Sequence, residues 1–301
     1  MKSFFIGNIE IKTPVIQGGM GVGISLSGLA SAVANEGGVG VISCAGLGLL
    51  YPKGKGTYPE KCINGLKEEI RKARAKTKGI IGVNVMVALS NYADMVRTAI
   101  EEKIDVVFSG AGLPLDLPSY LTPESTTKLV PIVSSSRAAK IICDKWQKNY
   151  NYLPDAIVVE GPKAGGHLGF KKEDLENQTC QSLEEIFKDV EEIVENNKLN
   201  IPIFVAGGIS QRSDVKHFFD LGVDGIQVAT RFITTYECDA SIKYKEAFLK
   251  AIKEDIGFVS SPVGMPGRAM QNSFVKKTKK EKIPVKKCYQ CLIPCDVKNT
   301  P

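Results

Sequence analysis

Short apolar segments recur along the chain at intervals of about 25 residues. They are rich in Val and Ile, they do not alternate with polar positions, and most are separated by a segment with helical periodicity. Strands that are apolar on both faces are typical of a parallel sheet covered by helices. The pattern therefore predicts a βα repeat, with strands near residues 15, 41, 82, 107, 131, 157, 204 and 227.

Eight βα units within about 240 residues predict an α/β protein with a (β/α)8 TIM barrel. The competing fold, an open doubly wound sheet, requires G-x-G-x-x-G after its first strand. Gly19, Gly21 and Gly23 do not have that spacing. The repeat stops after residue 240, so we predict a barrel over 1–240 and a C-terminal extension over 241–301. This extension is expected to contain a helix at 244–253, an irregular ordered loop at 260–268 that folds back over the barrel mouth, and a basic tail.

The charge distribution bears on location and partners. The formal net charge is +6, and much of the excess lies between Lys276 and Lys287. Such a local segment is typical of a solvated tail and gives only weak support for nucleic-acid binding. No apolar run has the length of a membrane span, and Glu10 and Lys12 interrupt the N-terminal apolar residues, unlike in a signal peptide. We expect a cytoplasmic protein without a nucleic-acid or membrane partner, and leave a homo-oligomer open.

Three of the eight cysteines form a C-x-x-C-x-x-x-C cluster near the C-terminus, namely Cys288, Cys291 and Cys295. A structural zinc or iron–sulfur site usually needs four ligands. A fourth ligand from elsewhere remains open, but reduced thiols are the favoured interpretation, so no metal is assigned.

Small or polar residues follow almost every predicted strand, which leaves room at the barrel mouth for a large flat ligand. Gly207 and Gly208 follow strand seven, and Ala229 and Thr230 follow strand eight. Barrels commonly bind phosphate at this position through backbone N–H groups. Close packing of helix against strand is the alternative explanation for these small residues.

A phosphate and a flat ring together favour flavin mononucleotide, FMN. Gln17 and Asn84 are candidates for hydrogen bonds to the ring edge, and Glu160 for the ribityl hydroxyls. The strand that ends at Glu160 leads into a loop with four glycines and one histidine, His167. Histidine is suited to proton transfer near neutral pH, although a glycine-rich turn with an incidental histidine is the alternative.

Five motifs occur in order within residues 10–240: Gln17-Gly18-Gly19-Met20, Gly82-Val83-Asn84-Val85-Met86, Gly161-x-x-Ala164-Gly165-Gly166-His167-x-Gly169, Ala206-Gly207-Gly208-Ile209 and Gln227-Val228-Ala229-Thr230-Arg231-Phe232. Together they resemble the nitronate monooxygenase (2-nitropropane dioxygenase) family, which also contains flavin-dependent enoyl-acyl-carrier-protein reductases. Two positions depart from the family pattern. Lys163 stands where an acid is common, and Ala229 replaces the usual glycine beside the phosphate.

The resemblance implies an FMN flavoprotein in which His167 is catalytic. It further implies that the flavin is lined by Gln17, Gly18, Gly19, Met20, Asn84, Glu160, Gly165, Gly166, Gly207, Gly208, Gln227, Val228, Ala229 and Thr230. The expected reaction is oxidation of alkyl nitronates, and by extension nitroalkanes, by O2 to a carbonyl compound and nitrite. Two alternatives stay open: an NAD(P)H-dependent enoyl-acyl-carrier-protein reductase or other FMN-dependent oxidoreductase on the same barrel, and a non-catalytic sensor of a phosphorylated ligand.

Overall fold

A computed structural model describes residues 4–52, 56–261, 263–281, 283, 287–293 and 295. Lys53–Lys55, in a predicted polar insertion, and Pro262 lie outside the described residues. In chain order, the strands and helices are β1 (Phe4–Ile6), β2 (Ile9–Ile11), β3 (Val15–Gln17), α1 (Ser27–Asn35), β4 (Val39–Ser43), α2 (Leu47–Leu50), α3 (Tyr58–Lys76), β5 (Ile80–Met86), α4 (Tyr92–Glu101), β6 (Val106–Gly110), β7 (Lys128–Val133), α5 (Ser136–Tyr150), β8 (Ile157–Glu160), β9 (Gly166–His167), α6 (Lys172–Glu176), α7 (Leu183–Asn196), β10 (Ile203–Ala206), α8 (Arg212–Asp220), β11 (Gly225–Val228), α9 (Thr230–Ile233), α10 (Ile242–Lys250), β12 (Ile256–Ser260), β13 (Pro266–Met270) and α11 (Ser273–Thr278).

Eight parallel strands form a closed barrel in the order β3-β4-β5-β6-β7-β8-β10-β11. The last strand closes on the first, with Val228 opposite Gln17. An open sheet would leave these two edges unpaired, so the predicted (β/α)8 barrel is confirmed.

Two apolar cores follow from the alternation of side chains along each strand. One fills the barrel interior and includes Ile16, Phe108 and Phe204, together with Ile6 and Ile11 from the β1–β2 hairpin. The hairpin caps the N-terminal end of the barrel, where the Gly7 amide donates to the Asp155 carbonyl oxygen. The other core lies between the strands and the surrounding helices. Because the hairpin closes the N-terminal end of the barrel, the mouth of the barrel is its C-terminal end.

The N-terminal cap of α1 comes from a residue that is distant in the sequence. The sequence favours Ser25 or Ser27 as its cap, and this prediction is wrong. The backbone N–H groups of Leu26, Gly28 and Leu29 instead donate to the Asp239 carboxylate at 2.8, 3.0 and 3.1 Å. A carboxylate satisfies several terminal amides at once and interacts favourably with the helix dipole. The residues that follow the last barrel strand are thereby tied to the first helix.

The predicted irregular loop at 260–268 is also corrected, because part of it is sheet. β12 and β13 form an antiparallel hairpin, and β13 pairs with β9 in the loop after β8. Pro266 is the first residue of β13, a position where a strand tolerates proline. The intervening turn includes Gly264 at φ +77°, in the left-handed region. The segment thus folds back onto the loop that carries His167, while a domain boundary near residue 240 stays a prediction.

The rest of the C-terminal extension is partly described. The predicted helix at 244–253 is observed as α10, beginning and ending a few residues earlier. Further on, the tail lies against the loop after β5: the Ser90 amide donates to the Cys291 carbonyl oxygen, and the Ile293 amide to that of Ala88. Among the described residues, no group of His, Cys, Asp or Glu is arranged to hold a metal, and no helix is long and apolar enough to cross a membrane.

Candidate active site

The barrel brings the predicted site residues to one end. Gln17, Glu160 and Val228 are the last residues of β3, β8 and β11, and Asn84 lies near the end of β5. Parallel strands in a closed barrel share one C-terminal end, so residues far apart in the chain surround one mouth.

Gln17 supports the loop that follows β3. Its side chain is fully buried, and its Nε2 donates to the Gly18 carbonyl oxygen at 2.6 Å and to the Ser25 Oγ at 2.9 Å. Its Oε1 accepts the Val41 amide at 2.9 Å. The Ser25 Oγ in turn accepts the Met20 amide at 3.0 Å. Both donors of the Gln17 amide are therefore satisfied within the chain, and a contact between Gln17 and a cofactor stays a prediction.

The backbone of Gly19 approaches Asn84 closely. A Cβ atom at Gly19 would lie 2.4 Å from the Asn84 Cβ, so only glycine fits there without a shift. Asn84 is half-buried, and its side-chain amide forms no hydrogen bond with any residue that the structure describes. An amide that faces the mouth without a partner is suited to bind the polar edge of a ligand.

Glu160 is a second polar group without a partner. Its half-buried carboxyl makes no hydrogen bond or ion pair to the described part of the chain. Burial raises the pKa of Glu160 to about 8. A shifted carboxyl group in a cleft is a candidate functional group, and the hydroxyls of a bound ligand would compensate for its desolvation.

The loops after β10 and β11 are compact. Gly207 and Gly208 adopt φ values of +103° and +82°, and a Cβ at Gly208 would lie 2.8 Å from the Lys163 Cβ. The close-packing explanation for these glycines therefore holds in part, because the loop after β10 packs against the loop after β8. Within the described chain, the backbone N–H groups of Gly207, Gly208 and Ala229 donate no hydrogen bond. They remain available for an anion, and Gln227 and Thr230 lie beside them in sequence.

His167 lies on β9, opposite Gly267 of β13. Its Nε2 is 2.6 Å from the Ser261 Oγ, and burial lowers the pKa of the imidazole. Among the described residues, no heavy atom lies within 4 Å of the positions that Cβ atoms would take at Gly165 and Gly166, apart from those of their immediate chain neighbours. The imidazole is therefore held by Ser261, and the backbone before it, at Gly165 and Gly166, borders open space.

Arg268 is a site residue whose role the sequence leaves undecided. Its Nη1 donates to the carbonyl oxygens of Pro162 and Ala164 at 2.6 and 2.8 Å. Its guanidinium lies 5.0 Å from the centre of the Phe258 ring. Through these hydrogen bonds, Arg268 stabilises the position of the loop that leads to His167. Neither this role nor that of Ser261 has a local signal, since both residues act on partners about a hundred positions earlier.

We expect Arg268→Ala to destabilise the protein by about 1.5–3 kcal/mol, because two carbonyl groups lose a charged donor. The catalytic rate should fall as well, because the His167 loop loses its anchor. Arg71→Ala is a matched control, since Arg71 also makes two charged hydrogen bonds, but to Glu102 on the surface. Its cost should be below about 1 kcal/mol. Equal loss of stability in urea unfolding for both variants would contradict the anchoring role.

Comparison with known proteins agrees with this geometry. The chain matches the nitronate monooxygenase family over residues 2–105 and 90–299. A probable nitronate monooxygenase of Staphylococcus saprophyticus is 26% identical over 295 residues, covering 90% of this chain and 79% of that protein. An octahydroindene carboxyl-CoA dehydrogenase of Mycobacterium tuberculosis is 25% identical over 269 residues, covering 89% and 66%. FabK from Thermotoga maritima superposes with a TM-score of 0.70 at 29% identity, covering 90% and 75%. The chain belongs to the nitronate monooxygenase family and is an oxidoreductase of that type.

Proposed function

We propose that the protein binds FMN at the barrel mouth and oxidises alkyl nitronates with O2, giving a carbonyl compound and nitrite. The observation that carries the proposal is His167, a half-buried imidazole held by Ser261 beside the open backbone of Gly165 and Gly166. Family membership supports the reaction type. The reactants are small molecules, and we expect the reaction to take place in the cytoplasm.

The residues present fit FMN in three respects. Free backbone amides at Gly207, Gly208 and Ala229 suit its phosphate, and the unpaired carboxyl of Glu160 suits its ribityl hydroxyls. The free amide of Asn84 suits the polar edge of its ring. Bound FMN supplies the redox chemistry between substrate and oxygen. The residues that would hold it are Gln17, Gly18, Gly19, Met20, Asn84, Glu160, Gly165, Gly166, Gly207, Gly208, Gln227, Val228, Ala229 and Thr230.

His167 has two uses in this reaction. The contact with Ser261 takes up Nε2, which leaves Nδ1 for the substrate. A neutral imidazole can remove the proton next to the nitro group of a nitroalkane. Towards a nitronate, which has already lost that proton, an N–H donor at the same nitrogen stabilises the anionic oxygens.

The lowered pKa of His167 predicts a specific pH dependence for neutral nitroethane. Below its pKa the imidazole is protonated and cannot act as a base. Because burial lowers that pKa, kcat/KM should hold its value down to about pH 6.5, the ordinary value, and fall only below it. A pH profile of initial rates measures this directly. An acid limb centred above the ordinary histidine value would contradict the role as base.

The proposal is tested by the absorbance spectrum of the purified protein, followed by anaerobic addition of NADH or NADPH and then aerobic addition of ethyl nitronate. We expect a flavin spectrum, little bleaching by either nucleotide, and nitrite formation with oxygen uptake. An enoyl-thioester reductase is the second candidate, favoured by the relative named as a carboxyl-CoA dehydrogenase. Rapid bleaching by a nucleotide without nitrite formation would support that candidate, and a colourless protein would support a ligand sensor.

A further inference from the structure

The C-terminal tail carries two cysteines in the spacing C-x-x-C, Cys288 and Cys291, where it lies against the loop after β5. We propose that these two thiols form a reversible disulfide, with a peroxide as the oxidant, and that the disulfide holds the tail on the barrel mouth. This oxidative modification site is separate from the flavin site and does not depend on which substrate the enzyme oxidises. Residues 287–293 are called the strap below.

The strap is attached to the barrel mouth through the loop after β5. The Ser90 amide donates to the Cys291 carbonyl oxygen at 3.2 Å, and the Ile293 amide donates to the Ala88 carbonyl oxygen at 2.7 Å. The same loop begins where β5, the strand that carries Asn84, ends. A change in the strap therefore reaches the edge of the barrel mouth beside Asn84.

Side chains of the strap add to this attachment. Leu292 packs against the apolar core between the strands and the helices, and the Tyr289 ring lies 5.2 Å from the Tyr58 ring at the start of α3. By contrast, no residue from 287 to 290 makes a backbone–backbone hydrogen bond to the rest of the described chain. The backbone around Cys288 is thus free to turn towards Cys291, which is held in place.

The two thiols differ in exposure. Cys288 is exposed, so a peroxide in solution reaches it, whereas Cys291 is half-buried and burial raises its pKa. The chain already turns between them, because Gln290 adopts φ +51° and its amide donates to the Cys288 Sγ at 3.4 Å. Paired thiols in this spacing are typical of redox-active sites. Cys288 is accordingly the thiol that meets the oxidant, and Cys291 is its partner.

The oxidation proceeds in two balanced steps. The Cys288 thiolate attacks a peroxide oxygen and the O–O bond breaks, which gives a sulfenic acid and an alcohol, or water from hydrogen peroxide. The thiol proton of Cys288 leaves with that product. The Cys291 sulfur then attacks the sulfenic sulfur, so that the S–S bond forms, the S–O bond breaks, and hydroxide leaves as water with the Cys291 proton. Two electrons pass from the thiols to the peroxide, and a dithiol reverses the reaction by exchange.

The disulfide favours the attached strap because it restricts the detached tail. Linking Cys288 to Cys291 closes a loop of about four residues, and the conformational freedom lost is lost mainly by the detached state. On this basis attachment should be favoured by up to about 20-fold. Oxidation thereby fixes one edge of the barrel mouth, and reduction releases it.

The first test treats the FMN-loaded enzyme with hydrogen peroxide and maps its disulfides by mass spectrometry. We expect a link between Cys288 and Cys291 that dithiothreitol removes. Cys180→Ser is the matched control, since Cys180 is also half-buried but lies outside the strap, and it should form the same link. Cys62 and Cys295 also lie near Cys291. Pairing of Cys291 with either of them, or bound zinc that keeps the thiols reduced, would overturn the proposal.

Hydrogen exchange of the oxidised and the reduced holoenzyme then tests the effect on the strap. The amides of Ser90 and Ile293 should exchange up to about 20-fold more slowly in the oxidised protein. Cys288→Ser cannot form the disulfide and should show the reduced rates with or without peroxide, while Cys180→Ser should respond as the wild type does. Equal rates in the oxidised and reduced wild type would refute control of the strap, even if the disulfide forms. Neither measurement uses nitrite, so a failure of the proposed reaction leaves both tests valid.

Discussion

His167→Ala is expected to lower kcat/KM for nitroethane oxidation by about 10²–10⁴-fold, the usual contribution of a positioned general base. The same change should weaken turnover of ethyl nitronate less, because no proton has to be removed from the anion. Flavin content and thermal stability should stay close to those of the wild type, since the imidazole is only half-buried and its one side-chain hydrogen bond to the described residues is that with Ser261.

Nitrite formation under initial-rate conditions measures the effect, with flavin content determined in parallel. His217→Ala is the matched control, because His217 is the other histidine of the chain and lies on α8, exposed and 3.2 Å from Glu184. It should be indistinguishable from the wild type. Unchanged turnover of both substrates by His167→Ala would remove the histidine from the mechanism.

Gly19→Ala is expected to abolish tight flavin binding. The added Cβ would lie 2.4 Å from the Asn84 Cβ, so either the loop after β3 or the Asn84 side chain has to shift. Overpacking of this kind costs about 1–3 kcal/mol of stability. Because Gly19 and Asn84 belong to the proposed flavin site, the shift should displace an amide that the ring edge needs.

Flavin released on denaturation and the Tm together report on this variant. In the double variant Gly19→Ala/Asn84→Gly, the colliding Cβ is gone, so the Tm should recover relative to Gly19→Ala. Flavin binding should stay weak, because the Asn84 amide is also gone. A Gly19→Ala protein that keeps full flavin and the wild-type Tm would mean that this close approach does not shape the cofactor site.

The barrel follows from the sequence because its signals are local. α7, Leu183–Asn196, has such a local signal in the apolar stripe that faces the core, and in the structure Ser182 and Glu185 form a capping box at its start. The short β1–β2 hairpin has no comparable signal. Its role depends on Ile6 and Ile11 reaching the barrel interior, which only the tertiary structure determines.

The candidate site likewise contains residues whose positions the sequence predicts and residues whose roles it does not. Asn84 and Glu160 lie at the C-terminal ends of β5 and β8, which meet at one barrel mouth, so strand positions alone place them, whereas His167 lies on β9 in the loop after β8. The roles of Ser261, Arg268 and Asp239 could not be predicted, because each acts on backbone or side chains 94 to 213 residues earlier. Pairing across such separations leaves no periodicity in the chain.

The pairing of β9 with β13 has a consequence for synthesis on the ribosome. His167 and its glycine loop are made early, and Ser261 follows 94 residues later. Until the hairpin leaves the exit tunnel, β9 has no partner strand and the loop has no guanidinium to hold its carbonyl groups. The eight barrel strands are complete by Val228, so a nascent chain can close its barrel before it can assemble the loop that carries His167.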